Sequence, residues 1–399
     1  MKKLLCLVLV MEAALALASA DVAITGNGDE SSASQTAGTF LGRGVMFAVR
    51  GEYDMAVADF TDAINLDPEL QTAWMLRGRA LFASVSHVTI VGENFSSITT
   101  MTTVGVGVSE EKKAVYDRAI ADYNQAIRLD PDNANAYRER GNVYAGKGDF
   151  DLAIADCTQA IQLDPNYAIA YNNRGNAYNI RGEYDRAIAD YTQALRLNSN
   201  DAGAYINRGN AYRNKGDFDR AIVDYTQAIR IEPKYATAYY NRGNAYRNKE
   251  DLDRAIADYN EAIRIEPNYT AAYYNRGNAY ADKREHDRAI ADYTQTIRLD
   301  PNYAMAYNNR GNAYRNKGKY DRAIADYNEA IRIDTNDAVA YTNRGVASYY
   351  KGDCVHARTD WEKALQLNPN DTTTRKNLEL LWGMGHKRTR KLIHKRRLE

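Results

Sequence analysis

The sequence predicts an all-α protein made by stacking one helical hairpin many times. Three observations carry this. Gly141, Gly175, Gly209, Gly243, Gly277, Gly311 and Gly345 recur at a spacing of 34, and Gly44 and Gly78 stand 34 apart upstream of them. All seven prolines, Pro68, Pro131, Pro165, Pro233, Pro267, Pro301 and Pro369, fall at one position of that period. The chain has 31 Tyr against 7 Phe and 3 Trp, the bias expected when a few positions are copied repeatedly. Such an array grows by adding neighbours, so its 399 residues need no single large core.

Taking the glycine as slot eight gives nine units, beginning near Ala37, Gln71, Ala134, Ala168, Ala202, Ala236, Thr270, Ala304 and Ala338. The second carries a 29-residue insertion. In the unit from Ala168, Tyr171, Arg174, Gly175 and Tyr178 share one face at helical spacing, and Ala187, Tyr191, Ala194 and Leu195 share another. Gly175 and Ala187 are small, as a close approach of two helix axes requires. Gly182 falls where a left-handed residue ends the first helix. An Asp, Glu or Asn precedes every proline, and that pair is expected to be a helix N-cap and first helical residue. Tyrosines at slots four, eleven and twenty-four are expected to bury rings between helices with hydroxyls at polar rims. The other reading is a stacking platform for bases or sugars.

A unit such as AYNNRGNAYNIRGEYDRAIADYTQALRLNSN resembles the tetratricopeptide repeat in its bacterial form. The match has an aromatic at slots four and twenty-four, Gly at eight, Tyr at eleven, Ala at twenty and twenty-seven, and Pro at thirty-two, and it extends over residues 37–371. The resemblance implies a right-handed α-solenoid superhelix of antiparallel helix pairs with a concave groove. It also implies a groove lined by the first helix of each unit through slots two, five, six, nine, twelve and thirteen. Carried onto this sequence, slots six and nine hold Asn142, Asn173, Asn176, Asn207, Asn210, Asn241, Asn244, Asn275, Asn278, Asn309 and Asn312. Slot twelve holds Arg213, Arg247 and Arg315, and slot five Tyr240 and Tyr274. These slots are expected to face solvent. An amide has donors and an acceptor, so two Asn rows could satisfy an extended peptide backbone with little regard to its side chains, while the arginines favour acidic groups. The other reading of the Asn rows is that they bond within the array. The family's clamp for a C-terminal carboxylate needs Lys or Arg at slots two and six, which this sequence lacks.

Slot seven is Arg in every unit, from Arg43 to Arg344, and slot twenty-three is always Asp, from Asp59 to Asp360. Both neighbour packed slots, so each Arg is expected to pair with an Asp of its own or an adjacent unit.

The flanks differ. Residues 1–20 read as an export signal: Lys2 and Lys3, an apolar run from Leu4 to Ala18, and Ala18-Ser19-Ala20 before a mature start near Asp21. The protein is therefore expected to be exported, periplasmic or envelope-associated. Residues 21–36 are a small, polar lead-in. The insertion, about residues 84–109, holds one charge, Glu93, and its Val88–Val91 and Phe95–Thr100 stretches could pair as a hairpin. Otherwise it is a surface loop. Residues 372–385 read as a capping helix in which Leu378, Leu381 and Trp382 cover the last unit. Residues 386–399 form a basic tail with seven Lys or Arg against one Glu, in a chain of zero net charge. Cys157 and Cys354 fall at apolar helix slots and are expected to be core residues too far apart to bond.

No reactive cluster emerges. The five histidines never pair with Cys or carboxylates at metal-ligand spacing, and there is no phosphate-binding loop, so no cofactor, metal or enzymatic function is expected. The function expected is a scaffold binding an extended segment of another protein, with no small-molecule substrate and no nucleic-acid partner. Two alternatives stay open: contact of the basic tail with an anionic membrane surface or nucleic acid, and an accessory role in an envelope enzyme complex.

Overall fold

A computed structural model describes residues 36–86 and 109–381. The export signal, almost all of the lead-in, both arms of the expected hairpin, residues 382–385 and the basic tail lie outside the described residues. The chain divides into two compact bodies at Ile231 and Glu232.

In the first body, α1 (Ala37–Arg50) pairs with α2 (Tyr53–Leu66) and α3 (Gln71–Ser86) with α4 (Glu110–Leu129). Then α5 (Ala134–Lys147) pairs with α6 (Phe150–Leu163), α7 (Ala168–Ile180) with α8 (Tyr184–Leu197), and α9 (Ala202–Asn214) with α10 (Phe218–Ile231). In the second, α11 (Ala236–Asn248) pairs with α12 (Leu252–Ile265) and α13 (Thr270–Asp282) with α14 (His286–Leu299). Next, α15 (Ala304–Asn316) pairs with α16 (Tyr320–Ile333) and α17 (Ala338–Lys351) with α18 (Cys354–Leu367). A last helix, α19, covers 372–381. No described residue is in a strand, so both bodies are all-α stacks of helical hairpins. Within each body, successive first helices also touch, as α5 touches α7 and α11 touches α13.

The slot-eight glycine has a definite cause. A Cβ on Gly243 would lie 2.8 Å from the Tyr259 ring and 3.2 Å from the Ala255 carbonyl. The slot-24 ring thus lies against the first helix, and Tyr259 is fully buried. Slot fifteen ends the first helix at positive φ in eight of the nine repeats, the second excepted because Val85 continues its helix: Gly148 sits at +95°, with the next N–H, from Asp149, reaching the Tyr144 carbonyl at 2.8 Å. Two repeats place a side chain there, Glu250 and Arg284, both at φ +61°. A left-handed residue with a Cβ costs about 1–2 kcal/mol. Glu250→Gly and Arg284→Gly should therefore each raise stability by about 0.5–1 kcal/mol once the extra freedom of unfolded Gly is offset. Urea melts that show no gain would count against that strain.

The prolines are placed differently from expectation. Asp67 ends α2, its carboxylate accepts the Glu69 N–H at 3.1 Å, and its carbonyl accepts the Leu70 N–H at 3.2 Å. The Asp-Pro pair is therefore the first two residues of a β-turn between repeats, not an N-cap and first helical residue. Proline suits the second turn position because its fixed φ is the one required there. The true N-cap comes two residues after the proline position. Asn133 and Asp201 cap α5 and α9 through their side chains. Tyr167, Tyr269 and Tyr303 stand at the same slot and make no cap bond. The forfeited cap, worth about 1 kcal/mol, is exchanged for ring contacts described below.

Cys157 is buried, and burial pushes its thiol up to about 12. Cys354 is exposed at the start of α18, contrary to the core position expected of it, because slot seventeen there opens to solvent. At the C-terminal end, Leu381 is buried against Ala357 and Trp361, with Leu378 packed beside them. Ser84, Val85 and Ser86 of the insertion continue α3, and Ser109 caps α4.

Candidate peptide-binding face

The first helices carry two polar layers, and one of them is purely internal. Every slot-seven arginine makes a two-pronged bond to the slot-23 aspartate of its own repeat. Arg276 Nε and Nη2 donate to Asp292 at 2.8 and 2.6 Å, and Arg174, Arg208, Arg242 and Arg310 do the same to Asp190, Asp224, Asp258 and Asp326. Arg77 reaches Asp122 across the insertion. The remaining Nη1 turns to the repeat before: Arg174 to Thr158, Arg276 to Asn260, Arg344 to Asn328. The slot-four ring lies under the guanidinium, as Tyr273 lies 5.4 Å from Arg276. Burial pushes the Asp224 carboxyl up while Arg208 pulls it back, and the hydrogen bond that Arg208 donates to Asp224 holds the Arg208 pKa above its ordinary value. These charges hold the scaffold together and are not presented to a ligand.

The asparagine rows are not the solvent-facing slots expected. Asn142, Asn173 and Asn241 are buried, and Asn176, Asn207, Asn210, Asn244, Asn275, Asn278, Asn309 and Asn312 are half-buried. The reason is an amide ladder. The buried slot-24 tyrosine needs a partner for its hydroxyl, and it donates to the slot-nine oxygen of its own repeat. Tyr191, Tyr225, Tyr259, Tyr293 and Tyr327 reach Asn176, Asn210, Asn244, Asn278 and Asn312 at 2.7–2.9 Å. The slot-nine oxygen also accepts the slot-six amide of the next repeat, as in Asn275 to Asn244 (2.9 Å) and Asn309 to Asn278 (3.0 Å), and in Asn173 to Asn142 (2.7 Å), where slot 24 is Cys157 instead of a tyrosine. Slot six also reaches slot five of the previous repeat. Asn275 and Asn309 donate to the Tyr240 and Tyr274 hydroxyls, and Asn207 and Asn343 to the Asn172 and Asn308 oxygens.

Tyr240 and Tyr274 are thus partly internal too. Tyr240 packs against Tyr259 and Tyr269, and Tyr274 against Tyr293 and Tyr303, with the slot-34 rings 5.1 and 5.0 Å away. Burial pushes the Tyr269 and Tyr303 hydroxyls up to about 12. The arginines differ among themselves. Arg247 is bonded to Asp282 at 2.9 Å, Arg315 reaches the Asn343 oxygen at 3.1 Å, and Arg213 is half-buried on α9. Among these expected groove residues, only Arg247 pairs with a carboxylate.

What remains for a ligand is selective. In Asn244 the oxygen is used twice, by Tyr259 and Asn275, and both amide hydrogens are left over. In Asn312 the oxygen is used by Tyr327. In Asn278 the amide also donates, to Asn275 Oδ1 at 3.5 Å, so the face offers more N–H donors than acceptors without being an unbroken row of them.

One part of the ladder is charged. Slot nine of the second repeat is Arg79, slot five of the third is Arg138 and slot six of the third is Glu139. Arg79 Nη2 and Arg138 Nη2 both donate to Glu139 Oε1, at 2.8 and 2.6 Å. Arg138 also donates to Asn135 (2.7 Å) and to the Tyr167 hydroxyl (2.6 Å). Sequence reasoning passed over this cluster. Its signal was available: the one repeat with Arg in place of Asn or an apolar residue at slot nine is followed by the one with Glu at slot six.

Stacked helical hairpins whose first helices share a polar face define a repeat scaffold of the interaction class. Family models described as TPR repeat match residues 115–148, 175–216, 209–249 and 243–283, and models described as tetratricopeptide repeat match 134–167, 157–189 and 274–338. The chain belongs to the tetratricopeptide-repeat family. Comparison with curated proteins gives no match. Among solved structures, the chain is similar to YrrB, described as a TPR protein with an unusual peptide-binding site, at 26% identity and a TM-score of 0.42. That match covers 47% of this chain and 97% of YrrB. MamA is 30% identical over 41% of this chain and 96% of its own, with a TM-score of 0.39. The C-terminal part of a TPR repeat-containing protein from Cytophaga hutchinsonii is 21% identical, over 60% of this chain and 98% of that one, with a TM-score of 0.50. Among the described residues, no helix is long and apolar enough to cross a membrane, and no group of three or more His, Cys, Asp or Glu could hold a metal ion.

Proposed function

We propose that the protein is a binding scaffold that holds an extended, somewhat acidic segment of a partner protein against its first helices. The observation that carries this is the slot-nine row, in which the internal bonds draw mainly on the oxygen, as at Asn244 in α11 and Asn312 in α15; at Asn278 the amide is used as well, donating to Asn275 Oδ1 at 3.5 Å. Packed helices stand about 8–10 Å apart, and an extended chain advances about 3.3 Å per residue. Successive amides would therefore meet carbonyl groups about three residues apart, reading backbone and not side chains. Arg213 on α9 of the first body and Arg247, whose charge is shared with Asp282, on α11 of the second each lie on a first helix, where a guanidinium favours carboxylates.

Alanine is a poor test here, since it removes the oxygen that Tyr259 and Asn275 share. Aspartate keeps the oxygen that Tyr259 and Asn275 need and removes the donors. Asn244→Asp with Asn312→Asp should leave thermal unfolding nearly unchanged and weaken capture of the partner segment at least about tenfold, or about 1.4 kcal/mol. Unchanged capture by a folded double variant would place the partner elsewhere.

A further inference from the structure

The Arg79–Arg138–Glu139 cluster sits on the first helices α3 and α5 of the first body, with Arg79 and Glu139 at slots where most other repeats use neutral amides. Two guanidiniums share one carboxylate oxygen, so the cluster has a net positive charge. Arg138 and Glu139 are only 5% and 3% exposed. Burial pushes the Glu139 carboxyl up, but Arg138 and Arg79 outweigh it and hold it below its usual range, so the carboxylate is charged and fully committed. Arg138 is satisfied on three sides by Glu139, Asn135 and Tyr167, and it lies 5.7 Å from the Tyr167 ring. Arg79 is not satisfied. Among the described residues only its Nη2 is bonded and its buried Nε has no partner, and its side chain is 23% exposed. A buried guanidinium lacking a full counter-charge is costly, and the natural complement is a second carboxylate approaching its open edge.

We propose that Arg79, backed by Arg138 and Glu139, is an anchor subsite for an internal Asp or Glu side chain of the bound segment. Docking there turns two cations and one anion into a balanced set of four charges, at the α3–α5 end of the first body. This rests on the reading of the first-helix face as peptide-binding. It adds the position in the array at which the acidic side chain is read.

The test uses the full chain and short synthetic peptides, acetylated and amidated at their ends, in a Ser/Ala background with one Glu moved through each position. Each is compared with its Gln twin by fluorescence anisotropy. The best Glu peptide should bind at least about tenfold tighter than its Gln twin. In Arg79→Gln that preference should vanish while the Gln twin binds as before. This variant leaves Glu139 paired one-to-one with Arg138, so it should fold, which circular dichroism checks. Glu and Gln peptides binding wild type equally would overturn the subsite and leave the amide row standing. No binding by any peptide would overturn both. A Gln peptide with a free C-terminal carboxylate that matches the amidated Glu peptide would also overturn the assignment, by identifying a chain end as the ligand.

Discussion

Arg276→Met should destabilise the second body by about 3–5 kcal/mol, the loss expected when one partner of a buried ion pair is removed and the other is stranded. Asp292, which it strands, is buried in the second helix of the same hairpin. Adding Asp292→Asn should restore much of the loss, because a neutral amide in that place needs no counter-charge. Adding Asp258→Asn to Arg276→Met should not, since Asp258 is bonded to Arg242. Urea denaturation of these three variants, together with Asp292→Asn and Asp258→Asn alone, gives the coupling energies. Additivity in the Arg276–Asp292 cycle would remove the pair as a stabilising unit.

The second large effect is at Glu139. Glu139→Gln leaves Arg79 and Arg138 facing each other with no carboxylate between them, and about 3–5 kcal/mol should be lost from the first body. Unlike the slot-seven pairs, this loss should shrink at high salt. Arg79 is partly exposed, so an anion from solution can approach the gap. A variant as stable as the parent at low salt would show that the two guanidiniums need no carboxylate between them.

Much of the fold was legible because one 34-residue pattern repeats, so each slot was read nine times over. The Arg–Asp pairs were legible for the same reason, and the structure narrows each to its own hairpin. The turn chemistry was misread. Asp67 and Pro68 satisfy the local rules for both a helix start and a β-turn, and nothing within four residues distinguishes the two. The amide ladder stood in the sequence only as the alternative that the Asn rows bond within the array, and its partners were not legible. Helical spacing correctly put Asn244 and Asn275 on the first-helix face, but their mutual bond joins residues 31 apart. A residue-by-residue comparison of repeats shows it: Tyr at slot 24 accompanies Asn at slot nine in five repeats. Where slot nine is Val45 or Val346, slot 24 is Phe60 or Trp361, and no hydroxyl needs a partner.

Near-identity of modules has a drawback during folding. A hairpin that docks one repeat out of place meets almost the same surface it was meant to meet, so errors of order cost little and can persist. The charged contact between α3 and α5 breaks that degeneracy. If the hairpin beginning at Ala168 settled on α3, it would set Asn173 against Arg79 and leave a guanidinium without its carboxylate. If the Ala134 hairpin settled on a later neighbour, Glu139 would face Asn176 in place of Arg79. Each mistake carries the cost of a desolvated, unmatched charge, and only the native order avoids both. The second and third repeats thus act as a key for their own junction, while the repeats from Ala168 to Ala304, all with Asn at both slots, keep interchangeable surfaces.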